Sequence, residues 1–354
     1  RSLTLQTRAL WLAWSFWPSS SCATSRRQRQ SRLGRMPIDC AADAMADVGT
    51  REALTVEPPE SGERLDRYVA RHVPRLSRAA VQRLIAQGEI LVNHAPAKAS
   101  YRLEEGDLVE VILPPAAPEP QPETRALDII YEDPLLAVLN KPAGLVVHPA
   151  HGHAEGTLLN ALLARYPELR TWPEEEGWPG LVHRLDRDTS GVLAVARTPE
   201  ARASLRVQFK ARQVRKVYWA LVIGRPKLAQ ARIDSPIARD PAQRKRMAVV
   251  REGGRPACTE YKVLEYLGNY ALLEVRPETG RTHQIRVHLA AIGYPVAGDR
   301  VYGPQRQRLS LDRLFLHATE LTLRHPKTGE EMTFSAPLPP ELEGVLRELR
   351  GRQT

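Results

Sequence analysis

Residues 180–197, GLVHRLDRDTSGVLAVAR, are the stretch on which the interpretation of the whole chain depends. His183, Arg184, Asp186, Arg187 and Asp188 form a dense cluster of ionisable side chains between two apolar runs. The second run, VLAVA, is short and apolar, which predicts a buried strand. An ordinary surface turn does not need two acids and three candidate cations so close together. The stretch therefore predicts a strand that follows a functional site built around one carboxylate.

Other β-rich runs lie on both sides of this strand. They are LLAVLN, YWALVIG, ALLEVRP and ELTLRHP, and the helical stretches among them do not alternate regularly with the strands. No glycine-rich nucleotide-binding motif occurs. This pattern predicts an α+β fold whose largely antiparallel, mixed sheet is flanked by helices and loops. We assign residues 127–342 to this domain and residues 343–354 to a C-terminal tail.

A smaller module precedes the large one. Residues 55–113 begin with two short amphipathic helices; Ser77 is the expected N-cap of the second, and Gly88 its end. The runs EILVN and DLVEVIL then predict strands. Residues 114–126 follow as a linker, because prolines fill half of its first ten positions and proline-rich segments are stiff and extended.

Arginines recur on the two short helices of this module, interrupted mainly by Asp66. A charged helix face is usually only a solvated surface. Recurrence on two consecutive helices also suits contacts with phosphates, which position a protein on nucleic acid without reading its sequence. We therefore expect RNA binding by Arg64, Arg67, Arg71, Arg75, Arg78 and Arg83.

Composition sets further limits. The 354-residue chain has a net charge of +10, but residues 1–35 contain seven arginines and no acid, so global basicity says little about nucleic acid. That segment resembles a signal peptide, a transit peptide or translated upstream sequence, and we expect residues 1–54 to be a disordered or upstream-translated tail. Three scattered cysteines predict a reducing compartment, and we expect the cytoplasm. No apolar run is long enough to span a membrane.

Two groups of histidines could suggest a metal site. His148, His151 and His153 are close in sequence, but no further ligand stands at suitable spacing, and the surrounding proline and glycine predict a loop. His283 and His288 are five residues apart and do not converge. We therefore expect no metal site.

Asp186 and Asp188 allow three interpretations. DRDTS is close to the D-x-D-x-T loop of phosphoaspartate phosphatases, although residue 190 is serine and no apolar strand precedes the motif. The pair could also serve a glycosidase, although both acids lie on one segment instead of flanking a sugar. The third interpretation gives Asp186 alone the active role and has an arginine keep it ionised.

The run RKVYWALVIG places Lys216 and Tyr218 on one face of a predicted strand. A tyrosine that enters a strand is most often a core residue. It gains a functional meaning where a flat aromatic substrate stacks nearby.

The stretch THQIRVHLAAIG predicts a helix with Thr282 as its N-cap. Arg286 lies in the first turn, three residues after His283 and on the same face. The simplest interpretation is an exposed amphipathic helix; the functional one places Arg286 against a carboxylate from elsewhere in the chain. The expected core-facing residues are Ile285, Leu289 and Ile292.

The motif HRLDRDTSG resembles the signature of the RluA family of pseudouridine synthases. LNKPAGLVVHP, RKVYWALVIG, GRTHQIRVHL and LFLHATELTLRHP resemble further motifs of that family, in the same order, over about residues 60–340. RLDRYVARHVPRLSRAAVQRLIAQGEILVN is similar to the S-four RNA-binding domain, which makes the chain most like the RluC and RluD members. Arg187 and Ser190 are conservative departures within the signature and leave the target uridine open.

The resemblance implies an enzyme that isomerises specific uridines to pseudouridine in RNA, in particular large-subunit ribosomal RNA, without a cofactor. Asp186 would be the catalytic carboxylate, acting either on the anomeric carbon or on the ribose 2′ proton. Tyr218 would stack on the base and is a candidate for removing the proton from carbon 5. Arg286 would pair with Asp186, and Arg184 and Lys216 are expected to bind the substrate. We expect a monomer; a non-catalytic RNA-binding factor is the alternative from another class.

Overall fold

The structure is a computed structural model that describes residues 51–113, 120–149, 153, 155–172, 178–243, 246–307, 309 and 311–352. The expected tail up to residue 50, the first part of the expected linker and His151 lie outside the described residues. Among the described residues, the chain separates into an N-terminal unit of residues 51–71 and 78–113 and a C-terminal unit of residues 72–77 and those from 120 on.

The N-terminal unit combines two helices with an antiparallel sheet of four strands. Its elements are β1 (Arg51–Thr55), α1 (Leu65–His72), α2 (Arg78–Gln87), β2 (Ile90–Val92), β3 (Ala95–Pro96) and β4 (Leu108–Ile112), with a 3-10 turn at Pro58–Glu60. The strand order is β1-β4-β2-β3. Strand β1 corrects the expected boundary of the tail, because residues 51–54 pair with β4. Local sequence does not reveal this strand, since its partner lies more than fifty residues away.

The second helix ends where the sequence predicts. Gly88 adopts a φ of 79°, a left-handed conformation that glycine reaches without strain. The amide of Gly88 donates to the carbonyl of Ile85, and that of Glu89 donates to Leu84, which satisfies carbonyls at the end of the helix. The apolar faces of the two helices are buried at Leu65, Tyr68, Val69, Val81, Leu84 and Ile85.

The C-terminal unit contains the remaining strands and helices. They are β5 (Ile129–Glu132), β6 (Leu136–Lys141), α3 (Leu158–Arg165), β7 (Ser190–Ala196), α4 (Pro199–Lys210), β8 (Arg215–Ile223), β9 (Gln230–Asp234), β10 (Ile237–Arg239), β11 (Met247–Val249), β12 (Cys258–Leu267), β13 (Tyr270–Pro277), α5 (Gln284–Ala291), β14 (Leu316–Arg324), β15 (Glu331–Ser335) and α6 (Pro340–Gly351). A 3-10 turn follows α3 at Pro167–Thr171.

Most of these strands form one sheet in the order β5-β6-β7-β14-β8-β13-β12-β9, and β15 pairs with β14. Its strand pairs are antiparallel except β7 with β14. Strands β10 and β11 form a separate two-stranded ribbon. The predicted α+β class, with a largely antiparallel mixed sheet flanked by helices, is confirmed.

Both faces of the central strands are covered, which explains why every residue of β7 is buried. Leu193 and Val195 pack in the core that contains α3 and α5, whereas Val192 and Ala194 pack in the core that contains α4. This alternation follows from the two-residue period of a strand. Among the described residues, no helix is both long and apolar enough to cross a membrane.

Helix α6 corrects the second expected boundary. Residues 343–351 were expected to be a tail, but they continue the helix that begins at Pro340. Its apolar face packs in a core with Leu221 and Phe315. The buried residues of the helix are spaced three or four apart, as on one helix face, and are Leu342, Val345, Leu346 and Leu349.

Candidate active site

Asp186 lies in the loop directly before β7. Leu185 is buried beside it, and the amide of Thr189 donates to the carbonyl of Asp186 at 3.2 Å, which closes a turn. The strand then begins at Ser190. A core residue on one side and a hydrogen-bonded turn on the other hold the Asp186 backbone in place.

A buried lysine at the end of β6 donates a hydrogen bond to this loop. The side chain of Lys141, the last residue of β6, is fully buried and donates to the carbonyls of Pro142, Leu145 and Arg187 at 2.7, 2.8 and 3.0 Å. Burial, reinforced by the positive charge of Arg313, lowers the pKa of Lys141 to about 7. Lys141 lies in the motif LNKPAGLVVHP, but no sequence pattern indicates a role for it.

Gly191 fixes where β7 meets β14. Its φ is 114°, and a Cβ at this position would lie 2.1 Å from the carbonyl oxygen of Ala318. Any side chain would therefore separate the two strands at their parallel pairing. The strand that follows the Asp186 loop depends on a glycine here.

Arg286 reaches Asp186 from the first turn of α5. Its Nη1 donates to Oδ2 of Asp186 at 3.2 Å. The other side of the guanidinium binds Asp299, with Nε to Oδ2 at 2.7 Å and Nη2 to Oδ1 at 3.0 Å. Burial disfavours the charged form of Arg286, but the hydrogen bonds and charges of Asp299 and Asp186 raise its pKa above the ordinary value. One cation thus links two carboxylates.

The start of α5 differs from the prediction. The N-cap position is His283, in the left-handed region with a φ of 55°, so the expected cap at Thr282 is wrong. The side chain of Gln284 holds the turn instead: its Oε1 accepts from the hydroxyl of Thr279 at 2.6 Å and from the Arg281 amide at 3.0 Å.

The other end of α5 also differs. Ile285 and Leu289 are buried as predicted, but the helix ends at Ala291, and Ile292 is 36% exposed. The prediction that Ile292 faces the core is therefore wrong, because the helical periodicity does not extend to it.

A cavity of ≈ 470 Å³ opens in front of Asp186. Its lining includes all five catalytic and substrate-binding residues expected from the sequence, Arg184, Asp186, Lys216, Tyr218 and Arg286. They come from the loop before β7, from β8 and from α5. The tertiary structure therefore brings together residues that are up to 102 positions apart in the printed sequence.

Lys216 and Tyr218 share the face of β8 that looks into the cavity. Burial and the negative charge of Asp186 raise the pKa of Tyr218, so its phenol is protonated at neutral pH. Burial, together with the charge of Arg212, lowers the pKa of Lys216 to about 8. Its ammonium donates to the carbonyl of Thr279 at 3.2 Å.

Two further residues, His283 and Tyr302, lie beside the ion pair of Asp186 and Arg286. Neither was assigned to the site from the sequence. Nε2 of His283 is 4.0 Å from Oδ2 of Asp186, and its Nδ1 is 2.8 Å from the hydroxyl of Tyr302. The Arg286 guanidinium lies over the Tyr302 ring, 5.1 Å from its centroid. Burial lowers the pKa of His283, although the charge of Asp186 opposes the shift. No sequence pattern points to Tyr302, which lies in the run GDRVYG.

Asp188 has a different environment from Asp186. It pairs with the neighbouring Arg187 at 3.0 and 3.1 Å and is not among the residues that line the cavity. Arg184 is exposed and contacts Nε2 of His148 at 3.3 Å.

Among the described residues, no group of three or more histidine, cysteine or acidic side chains could hold a metal ion.

Three of the six arginines assigned from the sequence, Arg64, Arg71 and Arg78, pair with acids of the N-terminal unit. Arg64 and Arg78 both bind the buried carboxylate of Asp66, at 2.9 and 2.8 Å, and Gln82 also donates to it at 2.7 Å. The hydrogen bond from Arg64 is the main cause that lowers the pKa of Asp66, while burial opposes it. Asp66 is thus the centre of a network and not an interruption of a basic face.

Of the assigned arginines that do not bind Asp66, Arg67 and Arg71 lie on α1, Arg83 lies on α2, and Arg75 lies between the two helices. Arg71 donates to Glu60 and Glu63 at 2.9 and 2.6 Å. Arg67, Arg75 and Arg83 are exposed.

Comparisons with known proteins identify the family of the chain. The profile of the RNA pseudouridylate synthase family matches residues 135–291, and that of the S4 domain matches residues 63–109. An RNA pseudouridine synthase of Chloroflexus aurantiacus, described as uncharacterized, is 54% identical over 84% of this chain and 94% of its own length. The ribosomal large subunit pseudouridine synthase D of Nitrosomonas europaea is 42% identical over 89% of this chain and 92% of its own length.

A solved structure gives the same result. Human RNA pseudouridylate synthase domain containing 4 is 30% identical, has a TM-score of 0.51, and covers 63% of this chain and 93% of its own. The chain therefore belongs to the RNA pseudouridine synthases, a family of isomerases, and carries an S4 domain ahead of the synthase region.

Proposed function

We propose that this enzyme isomerises uridines of large-subunit ribosomal RNA and that Asp186 starts the reaction. The observation that carries the proposal is the position of Asp186 in a cavity with Arg286 at 3.2 Å and Tyr218 on the wall. The other acid of the lining, Glu278, is bound by Arg232. The names of relatives such as the Nitrosomonas europaea protein support the choice of RNA.

The target uridine must leave its stack to enter such a cavity, which costs least in an unpaired loop. In one route the Asp186 carboxylate attacks the anomeric carbon; the bond to uracil N1 breaks, and its electron pair leaves with the base. In the other route Asp186 takes the ribose 2′ proton and the same bond breaks. The base then turns and carbon 5 bonds to the anomeric carbon. In the first route this displaces the Asp186 carboxylate; in the second, where loss of the 2′ proton and of uracil leaves a double bond between C1′ and C2′, Asp186 returns the proton to C2′. In both routes carbon 5 gives its proton to a base and N1 takes up a proton, so the product is an isomer of the substrate.

Tyr218 and Arg286 have separate tasks in this scheme. A tyrosine whose pKa is raised keeps its proton, so Tyr218 is a poor base before the substrate binds and is better suited to stack on uracil. Arg286 orients the Asp186 carboxylate through its hydrogen bond. Arg184 and Lys216 supply positive charge for the RNA backbone. No step calls for a cofactor.

The N-terminal unit is the proposed RNA anchor. Its S4 domain supports this role, and exposed arginines on α1 and α2 can reach phosphates. Of the six arginines assigned from the sequence, Arg67 and Arg83 are the strongest candidates for phosphate contacts, while Arg64, Arg71 and Arg78 already hold acids. We propose that one chain is sufficient for activity.

The test compares Asp186→Asn with the matched variant Asp188→Asn. Both changes remove one negative charge from the same loop, but only Asp186 lines the cavity. Single-turnover formation of pseudouridine is measured on unmodified large-subunit ribosomal RNA fragments, with RNA binding measured in parallel. We expect Asp186→Asn to abolish detectable product with binding kept, and Asp188→Asn to retain most activity.

Three results would contradict the proposal. Substantial turnover by Asp186→Asn would show that another group starts the reaction. Comparable losses in both variants would favour a two-carboxylate hydrolase. Binding without any product from the unmodified chain, on fragments that cover the whole large-subunit RNA, would favour a non-catalytic RNA-binding factor. Mapping pseudouridines in a deletion strain would then identify the target uridine.

A further inference from the structure

Asp299 is a buried carboxylate to which the proposed mechanism gives no task. Its side chain is fully buried, yet it faces Arg286 with both oxygens, at 2.7 and 3.0 Å. Burial disfavours the ionised form of Asp299, but the bonds from Arg286 and from the amides of Val301 and Tyr302 keep its pKa below the ordinary value. It is therefore a charged group held in the protein interior.

The carboxylate of Asp299 has a fixed position. Its Oδ1 also accepts from the amides of Val301 and Tyr302 at 2.8 and 3.0 Å, which closes the turn around it. The preceding Gly298 has a φ of 79°, and a Cβ there would lie 2.1 Å from the carbonyl oxygen of Arg313. The turn is thus built against neighbouring backbone and leaves Asp299 little freedom.

This fixed carboxylate determines what Arg286 offers to Asp186. An arginine fork binds a carboxylate most strongly through two parallel N–H groups. Asp299 binds two such groups, Nε and Nη2 of Arg286. Only Nη1 of Arg286 then donates to Asp186, at 3.2 Å. Without Asp299, the guanidinium could turn and bind both oxygens of Asp186. The attacking oxygen would then be occupied, and its negative charge would face an uncompensated cation.

We infer that Asp299 is a positioning residue for the isomerisation: it holds Arg286 so that a single N–H reaches Asp186, and it balances the guanidinium charge. The inference rests on the proposed function, because Asp299 can affect the reaction through Arg286 only if Asp186 starts that reaction.

The test uses Asp299→Asn in the full chain. The remaining oxygen of asparagine can still accept from the turn amides, while the charge and one acceptor for Arg286 are lost. We expect the single-turnover rate at saturating ribosomal RNA to fall about 100-fold, the loss typical of a misplaced catalytic group. The Kd for RNA should change by less than about threefold, since phosphate contacts dominate binding.

Asp133→Asn is the matched control. Oδ1 of Asp133 likewise accepts from two turn amides, and its Oδ2 accepts from Tyr131 and His325. Asp133 does not line the cavity. We expect this variant to lower the melting temperature without lowering the rate constant. A purely structural role for Asp299 predicts the same pattern for Asp299→Asn.

Several results would overturn the inference. They are an unchanged rate in Asp299→Asn beside an active wild type, a loss that appears in Kd instead of the rate, or an equal rate loss in Asp133→Asn. If Asp299→Asn does not fold, Asp299→Ser keeps an acceptor for the turn without a carboxylate, and failure of both to fold would assign Asp299 to folding alone. An inactive wild type would refute the proposed function together with the inference, which distinguishes the two failures.

Discussion

The two units of the chain each contain an ion-pair triad, and the two triads have opposite compositions. The N-terminal triad has one acid between two arginines, whereas the cavity triad has one arginine between two acids. In both, the central residue is buried or nearly so and its charge is shared. The triads are Arg64–Asp66–Arg78 and Asp186–Arg286–Asp299.

The difference lies in the charge that each triad leaves exposed. In the N-terminal triad the acid is fully buried and the arginine side chains are 30% and 49% exposed, so the net positive charge faces solvent. In the cavity triad Asp299 is fully buried and Asp186 is 18% exposed, so the net negative charge faces the cavity. In each triad a fully buried acid fixes the geometry, and the excess charge lies on the side chains that remain accessible, positive in the N-terminal triad and negative in the cavity triad.

The largest expected effect tests the centre of the cavity triad. Arg286→Lys keeps the positive charge, but a single ammonium cannot replace a fork that binds two carboxylates. We expect the single-turnover rate to fall about 1,000-fold, an effect comparable to the removal of one strong hydrogen bond to the transition state. Arg350→Lys is the control, because Arg350 forms a similar fork with Glu265 away from the cavity. Equal rates in the two variants would remove the cavity triad from the mechanism.

The next effect tests the centre of the N-terminal triad. Asp66→Asn removes the charge that holds Arg64 and Arg78, and we expect the N-terminal unit to lose about 2 kcal/mol of unfolding free energy. Folding lowers the pKa of Asp66, so its contribution to the free energy of unfolding is fully present above the pKa of the unfolded state. The contribution is lost progressively as pH falls from that value through the lower pKa of the folded state. Denaturant unfolding at several pH values should therefore show a smaller acid dependence in Asp66→Asn than in wild type. An unchanged dependence would contradict the stabilising role.

A smaller effect separates exposed arginines from those in the triad. The double change Arg67→Gln/Arg83→Gln removes cations that are exposed on α1 and α2. We expect RNA affinity to fall about tenfold, and the slope of log K against log salt to decrease by about 0.7 for each phosphate that the protein no longer neutralises. The matched change Arg64→Gln/Arg78→Gln should reduce the slope less and stability more. The opposite ranking would mean that the triad arginines bind the RNA phosphates.

The smallest expected effect concerns Lys216. Folding lowers its pKa to about 8, so the ammonium is charged below that pH and neutral above it. We expect RNA affinity of the wild type to weaken by about threefold more than that of Lys216→Met between pH 7 and pH 9, a difference of ~0.6 kcal/mol. Fluorescence anisotropy titrations across this range measure it. Parallel pH dependences in both chains would exclude a charge contribution from Lys216.

The sequence by itself determined the local features of this protein. Apolar runs of strand length predicted β6, β7 and β8, and a glycine predicted the end of α2, because these elements depend on residues close together in the chain. The motifs around Asp186, Tyr218 and Arg286 indicated the family and three residues of the candidate site. Strand β1 and helix α6 were missed, since distant strand pairing and core packing form them.

Only the tertiary structure decided which charged residues are buried and which residues they bind. Asp66 looked like an interruption of a basic face, yet it is the buried centre of that face. Asp299 and Lys141 carried no signal of their own, because their partners Arg286 and Arg187 lie 13 and 46 residues away in sequence. Charge placement depends on burial and on distances between segments, and neither quantity is contained in local periodicity.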